Sequence, residues 1–226
     1  MTVTSGSPEP VARWLGRISF DEALAIQERV RADVIAGTGP ETLLLCEHEP
    51  VITLGRSARA ENVLAPHEEL ARRGVAVRPA SRGGDVTYHG PGQLVGYPIV
   101  RLRRGVVAHV EGMANGLAAV LATFGIAGRW RRDEPGLWID RGEVNPPAKI
   151  CAFGVHVRAR VSMHGFALNV TTPLDAFRLI VPCGLDGAAV TSIAEEVGNA
   201  PSVAELAPIA TSALATSLQC AFGSLE

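Results

Sequence analysis

The chain has 226 residues, 21 Lys and Arg against 23 Asp and Glu, a net charge of −2 and 47 % hydrophobic residues. That length and apolar content suit one sizeable core, and the near-neutral charge offers no electrostatic footprint for nucleic acid or an anionic membrane. No apolar run approaches a membrane span and residues 1–10 lack the regions of an export signal, so a cytoplasmic globular protein is expected.

Residues 1–10 are polar and rich in Pro, Ser and Gly, which predicts a loose tail ahead of one domain spanning 11–226. Ser19 with Glu22 forms a capping-box pattern, followed by Ala23, Ile26, Val30 and Val34 at helical spacing and by Gly37 as a stop. Thr42–Cys46 and Val51–Leu54 read as strands around the turn-like Glu47–Pro50, and Val75–Arg78 and Leu94–Val100 as two more. Val110, Met113, Ala114, Leu117, Val120, Leu121 and Phe124 form an apolar stripe that predicts a helix closed by Gly125. Gly136–Asp140, Ile150–Val157 and Ser162–Val170 read as strands, the last two as a hairpin over the basic turn at Arg158–Arg160. Ser202 with Glu205 starts a last helix running to about Cys220. Strand pairs mixed with helices, without regular β-α-β alternation, point to an α+β fold.

Cys46, Cys151, Cys183 and Cys220 form no C-x-x-C pair, so neither a four-thiolate metal site nor a disulfide framework is expected. Twenty of the 21 basic residues are Arg, and the single Lys is Lys149. A base that must lose its proton cannot be Arg, so Lys149 is a natural suspect for chemistry. If Lys149 begins a strand, its side chain is expected to share a face with Cys151. Pro182-Cys183-Gly184 holds a thiol in a tight bend, better placed to meet a substrate than Cys46 or Cys220, which fall within a strand and a helix. Cys151 leans toward the core. The stretch from Arg82 to Gln93 has four glycines around a Tyr-His pair, a composition for backbone approaching a ligand, yet it is neither a Walker loop nor a dinucleotide fingerprint. Alternation places His164, Phe166, Leu168 and Val170 on one strand face, where a histidine is more often a hydrogen-bonded core residue than a catalyst.

Taken in order, R-G-G-x-x-T-Y-H-G-P-G-Q, P-A-K-I, S-x-H-G-x-A-L-N and P-C-G resemble the lipoyl(octanoyl) transferases, over about Leu43 to Ile193. The resemblance implies a single α+β domain, with a mixed β-sheet and flanking helices, of the biotin and lipoate protein ligase type. By position it makes Cys183 the nucleophile that carries the octanoyl group as a thioester, and Lys149 the lysine that lowers that thiol's pKa and shuttles protons. It makes Arg82, Gly83, Gly84, Asp85, Val86, Thr87, Tyr88 and His89 acyl-pocket residues, together with Ala152, Phe153, Gly154, Gly165, Phe166 and Ala167. Phe153 is bulky enough to shorten the acyl tunnel, and His164 stands beside the pocket as a supporting residue. The donor implied is octanoyl-acyl carrier protein. The acceptors are lipoyl domains of 2-oxoacid dehydrogenase complexes and the glycine cleavage H protein. Neither cofactor nor metal is implied, and a monomer is expected.

The chemistry is consistent with these residues. A carrier thioester is already activated, and an acceptor lysine with a reference pKa near ~10.4 must shed a proton before attack. Lys149 as ammonium stabilises a thiolate and as amine accepts that proton; Arg could do only the first. An ATP-dependent ligase of the same fold would need no nucleophilic Cys, and a non-catalytic carrier-binding module would need neither residue. Both partners carry acidic surfaces, so the runs Arg101–Arg104 and Arg129–Arg132 are candidate docking patches, with plain solvated faces as the alternative.

Overall fold

A computed structural model of the chain describes residues 8–142, 145–181 and 189–226, so most of the expected tail lies outside the described residues. The strands and helices in chain order are β1 (Val11–Ile18), α1 (Phe20–Ala36), β2 (Thr42–His48), β3 (Val51–Leu54), α2 (His67–Arg72), β4 (Ala76–Pro79), β5 (Val86–His89), β6 (Gln93–Ile99) and α3 (Val106–Ala122). There follow β7 (Gly128–Arg131), β8 (Gly136–Ile139), β9 (Ala148–Arg158), β10 (Val161–Asn169), β11 (Ala189–Val190), α4 (Ile193–Val197) and α5 (Val203–Leu218).

The main mixed sheet runs β1-β2-β6-β10-β9-β8-β7, with β11 joined to β9, and β4-β3-β5 forms a smaller sheet. Helices α3 and α5 cover one face of the main sheet. Leu43, Leu45, Leu94, Leu117, Leu121 and Leu168 are fully buried there, each contributing about 2 kcal/mol. On the opposite face α1 packs over Leu44, Cys46, Val95, Tyr97 and Ile99. The small sheet closes over Leu70, Tyr88, Phe177 and Leu179. This is the expected α+β architecture.

Local sequence explains most elements. Both capping boxes form: Ser19 accepts from the Glu22 N–H and Ser202 from the Glu205 N–H, each worth about 1 kcal/mol. Gly37 stops α1 in the left-handed region at φ 74°. The hairpin turn between β9 and β10 puts both Ala159 and Arg160 at positive φ. Six elements escape the sequence signals: β1, α2, β5, β7, β11 and α4. β1 is an edge strand whose register shifts between Trp14 and Arg17, which breaks any alternation. β7 carries two arginines on the rim of the sheet, and α2 is a short, charged helix.

Candidate active site

A cavity of about 510 Å³ opens at the edge of the main sheet, and it touches both of its faces. β8 pairs with β9 only as far as Ala152, and the next backbone partner on that edge is Gly83, whose N–H donates to the Val155 carbonyl at 3.0 Å. The cavity wraps around the edge between those two points. One limb lies on the α1 face, against Val95, Tyr97, Ala152, Gly154, Gly165 and Ala167. The other lies on the α3 face, against Val106, Val107, Val110, Trp130 and Phe153.

Lys149 lines the same cavity. Its backbone is held on both sides, paired with Trp138 of β8 and with Val190 of β11, and the Thr191 N–H donates to its carbonyl at 3.0 Å. The side chain is 6 % exposed, and its Nζ sits 4.7 Å from the centre of the Trp138 ring, a cation–π contact. A Cβ on Gly136 would come within 2.9 Å of the lysine Cε, so glycine there makes room for the stem. The expected shared face with Cys151 is not found. The β8 register passes from Trp138↔Lys149 to Leu137↔Cys151, so Ile150 is an extra residue in β9. That bulge resets the alternation: Ile150 and Cys151 both enter the α3–α5 core, whereas Lys149 and Ala152 line the cavity.

The glycine-rich segment lines the cavity from Arg82 to Thr87, and again at His89. Tyr88 is the correction. Alternation along β5 turns its ring into the small-sheet core, edge-on to Phe177 at 5.7 Å. The polar residues of this segment are engaged in holding it. The Arg82 guanidinium donates to the Thr53 carbonyl at 2.7 Å and to Thr53 Oγ1 at 2.8 Å. Asp85 accepts from the Arg59 and Val86 N–H groups and from Asn62 Nδ2. Gly55 has no room for a side chain, because a Cβ would meet the Gly84 carbonyl oxygen at 2.2 Å.

From Thr53 a buried polar chain crosses the sheet. Thr53 Oγ1 and His89 Nε2 are 3.3 Å apart, His89 Nδ1–H donates to Gln93 Oε1 at 2.7 Å, and Gln93 Nε2 donates to Asn169 Oδ1 at 2.9 Å. Asn169 Nδ2 donates to the Thr191 carbonyl at 2.9 Å, beside Lys149. Thr191 is tied to Glu196, which is itself paired with Arg141. Thr53, Gln93, Asn169, Thr191 and Trp138 thus join the site without having been singled out from sequence. Only Gln93 and Asn169 stood within recognised motifs.

His164 leaves the face that alternation assigns to it. Phe166, Leu168 and Val170 enter the α3–α5 core, but His164 adopts φ 59°. Its ring turns to Tyr97 and to Ser81, whose Oγ is 2.9 Å from Nε2, while its N–H donates to Gln27 Oε1. A left-handed non-glycine residue costs about 1–2 kcal/mol, which these bonds offset. Phe153, expected to shorten the tunnel, instead packs edge-on against Trp130 at 5.4 Å in the α3 limb.

Burial first, then the Arg82 cation, pushes the His164 pKa down to about 3. His89 is also held near about 3, by burial and then by His48 and Arg82. Both are neutral in the folded state at pH 7, and in the unfolded chain both titrate near 6.5. Unfolding therefore takes up protons below that value, and stability falls as pH drops from about 6.5 toward 3, by about 1.4 kcal/mol per pH unit for each ring. The melting temperature should accordingly fall between pH 7 and pH 4.5, and His164→Gln should flatten part of that slope. An equal slope in the variant would show that this ring does not carry it.

The thiols of Cys46 and Cys151 are pushed well above the usual range by burial, and Cys220 up to about 12 by burial and then by Glu41. None of the three is a nucleophile in this state. Cys183 lies outside the described residues, in the segment between Val181 and Ala189. Among the described residues no cluster of three or more His, Cys, Asp or Glu is arranged to hold a metal, and no helix is long and apolar enough to cross a membrane.

This fold has known counterparts. Residues 19–215 match the lipoyl protein ligase A/B catalytic domain, and the chain belongs to that family. A lipoate-protein ligase A solved with bound ATP superposes with a TM-score of 0.78, covering 97 % of this chain and 90 % of that one at 16 % identity, a likeness of fold. An octanoyltransferase from Geobacter metallireducens is 49 % identical over 190 residues, 83 % of each chain. One from Myxococcus xanthus is 45 % identical over 195 residues, 85 % of this chain and 55 % of that longer protein. With such relatives over most of its length, the chain is an acyltransferase.

Proposed function

We propose that the chain moves an octanoyl group from the thioester of an acyl carrier protein to a lysine ε-amine on lipoyl domains. The acceptors are those of 2-oxoacid dehydrogenase complexes and the glycine cleavage H protein. The observation that carries the reading is the seat of Lys149, a buried lysine lining a largely apolar slot, in a chain similar to octanoyltransferases. Cys183 stands two residues after Val181 and six before Ala189, and the strand that starts at Ala189 pairs with β9 at Lys149.

In this reading the Cys183 thiolate attacks the carrier's thioester carbonyl. The carrier sulfur leaves and takes a proton from the Lys149 ammonium. The acceptor amine, having lost its first proton to solvent, attacks the acyl-Cys183 carbonyl. Its second proton passes to the Lys149 amine, and the Cys183 thiolate is released. Thiol-for-thiol exchange is nearly balanced in energy, so no nucleotide is consumed. The slot on the α1 face takes the chain at about 0.8 kcal/mol per buried CH₂, with Arg82–Thr87, His89, Ala152, Gly154, Gly165 and Ala167 around it and His164 as support. We place the reaction in the cytoplasm, where free thiols stay reduced, and in a monomer.

The likeness to a ligase bound with ATP favours a second reading, activation of a free acid as an acyl-adenylate. One experiment separates them. Incubation with octanoyl-carrier protein and no nucleotide should add the mass of one octanoyl group, mapped to the Cys183 peptide. An adduct at Cys151, or product formed only with ATP and free acid, would overturn the proposal.

A further inference from the structure

We infer that the first turn of α3, with Arg103, Arg104, Val106 and Val107, is the docking surface for the acyl carrier, whose prosthetic arm lies in the α3 limb of the cavity. The inference rests on the proposed use of a carrier-bound donor. Val106 and Val107 are 42 % and 44 % exposed, two apolar side chains presented together at the cavity mouth. Arg103 and Arg104, directly before them, are exposed, as is Arg132 on the cavity rim, and none of the three forms an ion pair with a described residue. Asp133 and Glu134 share that rim, but Glu134 is paired with Arg131 at 3.5 Å. An apolar pair with exposed cations beside it suits a partner with an acidic surface around a small apolar contact.

Carrier and lipoyl domain are both of that kind, and reach decides between them. Val106, Val107, Val110, Trp130 and Phe153 line the same cavity as Lys149. Val155, which also lines it, is six residues beyond Lys149 on β9, about 20 Å along the strand. Arg103 and Arg104 follow Arg101, which bridges to Val161 at the far end of the β9–β10 hairpin. An acceptor lysine is tethered by four methylenes, so its domain must sit directly over Lys149. A carrier delivers its thioester on a long flexible arm and can dock at a distance. The two limbs then divide the work, with the arm on the α3 face, the acyl chain on the α1 face, and the reacting carbonyl where they meet.

The test compares the wild type with Arg103→Glu/Arg104→Glu, both sites exposed and outside the large cavity. Labelled octanoyl-carrier protein should bind the double variant at least about tenfold more weakly, and the KM for it should rise by a similar factor. The kcat/KM with octanoyl-N-acetylcysteamine, a small thioester without the carrier, should stay within twofold, as should the KM for the lipoyl domain. Unchanged carrier binding would overturn the inference, and so would a rise confined to the lipoyl-domain KM. If the wild type binds octanoyl-carrier and the variant does not, yet neither turns it over, the proposed reaction fails while the docking surface stands. A wild type that does not bind the carrier sinks both.

Discussion

Lys149→Arg should fold, keep its positive charge and lose turnover by about 10²–10⁴-fold, the usual range for a positioned acid–base group. The fold tolerates the change in charge terms, because the residue already holds a cation over Trp138. It has less tolerance in shape, since Gly136 and Trp138 confine the stem. What Arg cannot do is give up its proton at working pH and take one from an incoming amine. The two half-reactions should therefore part company. Octanoyl loading of Cys183, in which the carrier sulfur can depart as a thiolate without the Lys149 proton, should be slowed less than release to the acceptor, whose amine must shed one. Stopped-flow or quenched mass measurements of the loaded chain report the first, and steady-state turnover reports both. Near-normal turnover in the variant would remove proton transfer from the role of this lysine. Lys149→Met, which lacks the charge as well, should lose both halves.

Gly165→Ala should be the most damaging single-methyl addition in the site. A Cβ there would lie 2.2 Å from the Gly96 carbonyl oxygen and 2.7 Å from Pro98 Cδ, both on the paired strand β6. Neither atom can rotate away, so β6 and β10 would have to separate at the centre of the main sheet. The expected loss is on the order of 3–5 kcal/mol, about 10 °C in melting temperature for a chain of this size. A melting temperature within about 2 °C of the parent would contradict the close packing at this point. Glycine here lets two backbones approach and keeps the floor of the cavity flat.

Much of the fold was written in local signals. Ser19 and Glu22, Ser202 and Glu205, and the stripe from Val110 to Phe124 specify three helices because caps and 3–4 spacing act within one turn or two. The hairpin over Ala159 and Arg160 is equally local. The site was legible as motifs but not as geometry. Lys149 and the glycine-rich segment stood out by composition and the Gly165–Ala167 stretch through the family resemblance, and all three line one cavity. Which way their side chains point depended on two backbone departures, the extra residue at Ile150 and the left-handed His164, and period-2 reasoning cannot foresee either. Tyr88 was mistaken for a pocket residue for the opposite reason, since there strict alternation held and carried it away from its neighbours. The buried chain from Thr53 to Thr191 joins residues up to 138 positions apart, which no window along the sequence samples.

The irregular pairing near the start of β9 also governs which kinds of change this chain can absorb through descent. Exchanging one apolar side chain for another at Ile150 or Cys151 alters packing and leaves the parity of the strand intact. Losing or gaining a single codon there would flip odd and even positions, burying an amine among leucines and offering a core side chain to the slot instead. Drift through this stretch is therefore channelled into replacement and closed to changes in length.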